Sequence, residues 1–281
     1  MFNRYLGALV RAFLVMLLVA TPSVALPNVT SDSGQIVALV ALFGGALTFF
    51  EYTSAYPSLV EFRDAPPFNR IRYVSLLITL LILSAICRGI SQPTGFTEFL
   101  TAFGALVGYI CDFPYSPVRL MTQLLPANAP AGDIALVRIT ASMAYIISLL
   151  SLFVFVSSLT LRQWPSRSGA FNVWINLPTF DPTAGGDVVQ RLTRDARFNI
   201  AMGFLLPFLV PAFLKAAASI FDTTTLTNSH SLIWTVAAWA FLPASLFMRG
   251  IAMRRVADMI AQKRRATYAA AEHDPREVYP A

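Results

Sequence analysis

The chain has 281 residues, of which 56% are hydrophobic and 13% are charged, and its net charge is +6. A soluble domain has about 25% charged residues, so this composition excludes a water-soluble protein and favours one whose surface faces lipid. Two cysteines, Cys87 and Cys111, and two histidines, His230 and His273, are too few for the usual zinc frameworks or for a haem held by paired histidines. We therefore expect neither a metal nor a cofactor.

The N-terminal segment has the pattern of a secretory signal peptide. Arg4 and Arg11 precede the apolar run Ala12–Ala20, and small residues follow it up to Ala25. The pattern predicts removal of residues 1–25. The alternative is an uncleaved anchor helix, because Phe2–Ala20 is nearly long enough to span a membrane. Both interpretations place residues 26–35 outside the cell.

Five later segments are predicted to be membrane helices. A stretch of about 20 apolar residues, rising about 1.5 Å each, crosses a hydrocarbon core about 30 Å thick. The apolar cores predicted to lie in such helices carry almost no internal charge, and they are Ile36–Phe50, Tyr73–Ile86, Ala135–Leu161, Ile200–Phe221 and Ser231–Met248. The predicted fold is all-α, a polytopic helical membrane domain over residues 26–270, followed by a flexible cytoplasmic tail over residues 271–281.

A further apolar segment, Phe96–Cys111, is short for a spanning helix and precedes a proline-rich stretch. If it crossed the membrane, the basic stretch from Arg254 to Arg265 would lie outside, against the tendency of Lys and Arg to stay in the cytoplasm. We therefore predict a re-entrant or interfacial helix at the outer side. The same tendency places the C-terminus in the cytoplasm, and a signal peptide joined to membrane helices favours a bacterial inner membrane.

Two cytoplasmic segments, Glu61–Arg72 and Phe171–Arg197, combine arginines with aromatic residues and with prolines or a helix-capping aspartate. Such surfaces suit docking against another protein subunit or against anionic lipid headgroups. The predicted docking residues are Arg63, Phe68, Arg70, Arg72, Trp174, Arg191, Arg194 and Arg197.

Small residues form a stripe along the segment Ala135–Leu161. They recur at helical spacing and allow close approach of a second helix, within this chain or from a partner. The stripe comprises Ala141, Ala144, Ser148, Ser151 and Ser158.

Pro207 and Pro211 lie four residues apart in the segment Ile200–Phe221, with Lys215 nearby. Each proline removes one helical hydrogen bond, so a kink is expected, and carbonyl groups freed in this way sometimes coordinate transported ions. These three residues are the candidate transport break.

Catalytic patterns such as HExxH and GxSxG are missing from the sequence, and no pair of acidic residues at helical spacing lies inside a membrane segment. The sequence therefore favours a non-enzymatic accessory, scaffolding or assembly subunit of a larger membrane complex. The alternative is a small transporter or channel, and a lipid-modifying enzyme ranks third. The expected partners are anionic lipid headgroups at the cytoplasmic face and other membrane subunits, and nucleic acid is not expected.

Overall fold

The computed structural model describes residues 2–27, 30–165, 171–181, 183, 185–221, 226 and 228–273. Within these residues the protein is all-α, with nine helices. In chain order they are α1 (Phe2–Ala25), α2 (Ser31–Thr53), α3 (Phe68–Ser91), α4 (Gly95–Cys111), α5 (Pro117–Thr122), α6 (Ala131–Leu161), α7 (Val173–Asn176), α8 (Val188–Phe221) and α9 (Ser229–His273).

Six of the described helices are long and apolar enough to cross a membrane, namely α1, α2, α3, α6, α8 and α9. The five predicted segments fall in the last five of them. The structure has one more helix of membrane-crossing length than the five predicted, because the N-terminal segment forms such a helix itself. The anchor-helix alternative requires a helix of this length. The architecture indicates a multi-pass membrane protein, and cleavage after Ala25 stays a prediction.

The long helices alternate in direction. Arg4 at the start of α1 donates to the backbone oxygens of Tyr52 and Ser54 at the end of α2. The ring of Phe68, the first residue of α3, lies 5.8 Å from that of Phe155 near the end of α6. The helices α8 and α9 are also antiparallel, because Gly203 approaches Phe247 while Gly250 approaches the earlier residue Ala196.

The bundle consequently has two distinct ends. We call the end with residues 54–67, 171–181 and 185–187 the basic face and the other end the opposite face. A large apolar cluster that includes Leu83, Leu232 and Trp239 fills the bundle towards the opposite face. A second cluster, built on Phe62, Phe155 and Val256, lies at the basic face, where the described half of α9 after Met248 packs against the start of α8.

The short helix α4 begins and ends at the opposite face and packs against α3 and α6. It follows the end of α3, and Asp112 directly after it forms ion pairs with Arg119 of α5, at 3.2 Å, and Arg138 of α6, at 3.3 Å. Gly104 and Gly108 face α6 so closely that an added Cβ would lie 2.7 Å from Ile139 and 3.3 Å from Arg138. Their missing side chains therefore allow α4 to pack tightly across α6.

The C-terminal region is more regular than expected. One helix, α9, continues from Ser229 through His273, so residues 271–273 of the predicted flexible tail have helical backbone. Residues 274–281 of that tail, and residues 222–225 and 227 after α8, lie outside the described residues. Cys87 and Cys111 are both free thiols.

Candidate functional site at the basic face

The two predicted docking segments pack against each other. The backbone N–H of Phe62 donates to the carbonyl oxygen of Asn176 at 2.7 Å, and the N–H of Asp64 donates to the side-chain oxygen of Asn176 at 3.1 Å. The hydroxyl of Thr179 donates to the carboxylate of Glu61 at 2.7 Å. Segments separated by about a hundred residues of chain thus form a single surface element.

Aromatic rings fill the space beneath this element. Phe62 contacts Phe68 with ring centroids 4.5 Å apart, and also contacts Trp164 at 6.0 Å and Phe171 at 6.3 Å. The side chain of Phe68 is only 1% exposed. The predicted docking role of Phe68 is therefore corrected: burial of its ring stabilises the basic face from within.

A partly buried ion pair joins the element to α9. The guanidinium of Arg249 donates to both carboxylate oxygens of Glu61, at 2.6 Å and 2.8 Å. The side chains are 12% exposed for Glu61 and 25% exposed for Arg249. A two-point bond of this kind fixes both position and orientation, because the planar guanidinium matches the carboxylate.

Arg63 is also used inside the protein. Its side chain is 6% exposed and donates to the carbonyl oxygens of Glu51 and Ser54 at 2.8 Å and 2.9 Å. These carbonyls belong to the end of α2, where no later turn of helix supplies a donor. Arg63 therefore caps α2 instead of presenting its charge to a partner.

Arg72 has a similar internal position. It donates to Ser245 of α9 at 3.2 Å and to Asn69 at 3.3 Å, and its guanidinium lies over the rings of Phe68 and Phe241 at 5.0 Å and 5.6 Å. These contacts connect α3 with α9 and leave little of the guanidinium for a docking partner.

The other predicted docking residues remain accessible. Arg70, Arg194 and Arg197 are exposed, and Trp174 is 52% exposed. Arg191 is partly exposed, donates to the carbonyl oxygen of Asp181 at 2.8 Å, and lies over the ring of Phe180 at 4.7 Å. The accessible basic surface is thus smaller than the sequence pattern indicates.

Four of the five seam residues lie inside the bundle. Ala141 and Ala144 are fully buried, Ser148 and Ser151 are nearly so, and Ser158 is partly exposed. The helix α6 that carries them packs against α3, α4 and α9. Of the two interpretations, close packing within the chain accounts for these four positions.

In the candidate transport break, a side chain occupies one of the two carbonyls that the prolines free. In a regular helix the N–H at position 211 would bond to the carbonyl of Pro207, and Pro211 has no N–H. The indole N–H of Trp239 donates to this freed oxygen at 3.0 Å. The helix α8 remains continuous through both prolines, and Lys215 is exposed on its surface. The Pro207 carbonyl is therefore occupied by the protein itself.

We predict that Trp239→Phe lowers the free energy of unfolding by about 1–3 kcal/mol, because a buried carbonyl loses its donor. In a Pro211→Ala background the new N–H at residue 211 can satisfy the same carbonyl, so the loss should shrink by about 1 kcal/mol or more. Thermal unfolding of the four proteins of this double-mutant cycle in detergent measures the difference. Equal losses in both backgrounds would contradict the assignment of Trp239 to this carbonyl.

Several long-range contacts have no signal in the sequence. Glu61 and Arg249 are 188 residues apart, and Ser23 lies 3.0 Å from the ring of His230 although 207 residues separate them. Asp187 accepts from Arg264 at 2.5 Å, and this hydrogen bond lowers the pKa of the Asp187 carboxyl. Each residue alone is ordinary, and only the antiparallel helices bring the partners together.

Among the described residues, no group of three or more His, Cys, Asp and Glu side chains could hold a metal ion. The described basic face contains ion pairs, helix caps and aromatic packing. A scan of protein-family models matched no family, and searches of the curated proteins and of the solved structures found no similar protein.

Proposed function

We propose that this protein is a non-enzymatic accessory or scaffolding subunit of a larger membrane protein complex. In this proposal it resides in a bacterial inner membrane, with the basic face and the C-terminus in the cytoplasm. The basic face is the contact surface for a neighbouring subunit.

The orientation is supported by the distribution of positive charge between the two ends of the bundle. The opposite half of the described bundle carries Arg88, Arg119, Arg138 and Lys215. The basic face and the adjoining part of α9 carry many more basic residues. Because short basic segments are retained in the cytoplasm, this difference favours a cytoplasmic basic face. These basic residues include Arg4, Arg63, Arg70, Arg72, Arg162, Arg191, Arg194, Arg197, Arg249, Arg254, Arg255, Lys263, Arg264 and Arg265.

The observation that carries the proposal is the rigid construction of the basic face. Glu61, Arg63 and Arg249 are all held by internal hydrogen bonds, so this surface has a fixed shape before any partner arrives. Preorganisation of this kind reduces the entropy lost on association. The transporter alternative has less support, because Trp239 occupies the Pro207 carbonyl, one of the two oxygens that the prolines free.

On this fixed surface Arg194 and Arg197 form an exposed pair on one side of α8. They are three residues apart, so their side chains share a helix face. Trp174, with its large exposed ring, belongs to the same face of the protein. Arginine and tryptophan are the residue types that contribute most to protein interfaces. We therefore propose a partner subunit with an acidic surface.

We predict that the double variant Arg194→Glu, Arg197→Glu loses its partner subunit. Reversing two exposed charges converts attraction to an acidic surface into repulsion, and the expected loss of affinity is at least about tenfold. Each protein would be tagged and extracted in a mild detergent, and its co-purifying subunits quantified by mass spectrometry. A partner present in stoichiometric amount with the unmodified protein should be depleted in the variant.

The matched control is Lys263→Glu, Arg265→Glu, which reverses two exposed charges on the described part of α9. This control should retain the partner and the melting temperature. Retention of the partner by the Arg194, Arg197 variant would contradict the assigned surface. A purified protein that carries no stoichiometric subunit in any extract would contradict the accessory function itself.

A further inference from the structure

A large groove runs along the bundle next to α1. It has a volume of about 890 Å³ and lies between α1, the end of α2 and the start of α3. Its long walls are apolar and include Leu6, Val10, Leu14 and Val74. At about 1.5 Å per residue, the part of α1 from Leu6 to Val15 that lines it is about 14 Å long. An extended hydrocarbon chain fits a groove of this shape and lining.

The end of the groove towards the basic face is polar. There it is lined by Arg11, Tyr52, Asn69 and Arg70. Gly7, Arg11 and Tyr52 also line a second cavity of about 600 Å³, so the two cavities meet at these residues. The second cavity adds Arg4, Arg63 and Asp64. An apolar groove therefore opens into a polar one at the level where α2 ends.

The charge of the polar end is strongly positive, because four arginines are opposed by the single carboxylate of Asp64. Asp64 is already paired with Arg63 at 3.4 Å. Arg4 and Arg11 bond to backbone carbonyl oxygens, which satisfy hydrogen bonds without cancelling the charge. Arg70 has no hydrogen-bond or ion-pair partner among the described residues. The polar end thus carries an excess of positive charge.

Two of these arginines, Arg4 and Arg11, are also held in position. The guanidinium of Arg11 donates to the carbonyl oxygen of Gly7 at 2.7 Å and lies over the ring of Tyr52 at 4.7 Å. Arg4 donates to the carbonyl oxygens of Tyr52 and Ser54. Rigid guanidinium groups with unused N–H donors are the usual means of binding phosphate oxygens.

We propose that this groove binds an anionic phospholipid, with the phosphate at Arg11 and Arg70 and one acyl chain along α1 and α3. The apolar walls would contact the acyl chain, and the arginines would bind the phosphate. In a membrane helix bundle the ends of the helices lie at the depth of the lipid headgroups, so a lipid can supply both parts at once. A free phosphate compound would leave the apolar groove unfilled. The inference needs α1 to be retained, and it is independent of the accessory function.

The test uses the full chain in detergent. The intact mass is measured first, to establish that residues 1–25 are present. Native mass spectrometry then follows titration with dioleoylphosphatidylglycerol, which is anionic, and with dioleoylphosphatidylcholine, which has the same chains and no net charge. We expect the anionic lipid to bind at least about tenfold more tightly. The double variant Arg11→Gln, Arg70→Gln should remove this preference. The variant Val74→Trp fills the groove and should weaken the binding of both lipids.

The matched control is Arg162→Gln, Arg265→Gln, which removes two exposed charges away from the groove and should keep the preference. If the double variant at the site is unstable, Arg70→Gln is tested alone. Arg70 is exposed, so this variant should fold, and it should reduce the preference for the anionic lipid. Equal binding of the two lipids by the unmodified protein would overturn the proposal. An unchanged preference in the Arg70 variant would also overturn it, as would displacement of the lipid by millimolar glycerol 3-phosphate. An intact mass that corresponds to a chain starting after Ala25 would overturn it as well.

Discussion

Glu61→Ala is expected to reduce the free energy of unfolding by about 3 kcal/mol, because it leaves the mostly buried Arg249 guanidinium without its carboxylate. The two side chains are bonded at both oxygens and are mostly buried. The variant also removes the acceptor of the Thr179 hydroxyl, which connects residues 171–181 to the loop before α3. For a chain of this size the expected fall in melting temperature is about 10 °C.

Two variants test whether the buried charge is responsible. Removing both charges in Glu61→Leu, Arg249→Met should restore much of the loss, since apolar replacements of a buried pair are often tolerated. Asp258→Ala breaks the half-exposed pair with Arg254 one turn apart on α9 and should cost less than about 0.5 kcal/mol. If the Glu61→Ala protein had the same melting temperature as the unmodified protein, the ion pair would contribute no stability.

Gly250→Ala is expected to have the second large effect. An added Cβ at Gly250 would lie 2.7 Å from the backbone oxygen of Ala196 and 3.1 Å from the backbone nitrogen of Ile200. Backbone atoms cannot move aside as the end of a flexible side chain can, so α8 and α9 would have to separate. The expected cost is about 2–3 kcal/mol, measured as a lower melting temperature.

Gly34→Ala in α2 is the matched control for this prediction. The same methyl group added at Gly34 meets no atom within 4 Å. It should raise stability by up to about 1 kcal/mol, because alanine is a better helix former than glycine. If Gly250→Ala were as harmless as Gly34→Ala, the close approach of α8 and α9 at residue 250 would be incorrect.

The long helices could be predicted from sequence because hydrophobic length is a local property. Each of the five predicted segments lies inside a helix of membrane-crossing length. The N-terminal segment was harder to interpret, since a signal peptide and a membrane helix share an apolar core and differ mainly in length and in cleavage. The helix α1 has the length of a membrane span, and its side chains contact α2 and α3.

The predicted docking surface illustrates what composition misses. Arginine and phenylalanine are common both in exposed interfaces and in buried networks, so their presence in 61–72 does not distinguish the two. The structure buries Phe68 against Phe155 and bonds Arg72 to Ser245, and both partners come from distant parts of the chain. Arg63 is held more locally, by the carbonyl oxygen of Glu51 at the end of α2.

The sequence by itself determined that the chain is helical, apolar and long enough to cross a membrane several times, because these properties depend on residues adjacent in the chain. Only the tertiary structure decided which charges are used internally, as in Glu61 with Arg249, and that Trp239 closes the break at Pro207. It also decided that Arg11 and Arg70 lie at the end of one apolar groove. Contacts across 30 to 190 residues depend on how helices pack, and no local pattern encodes that packing.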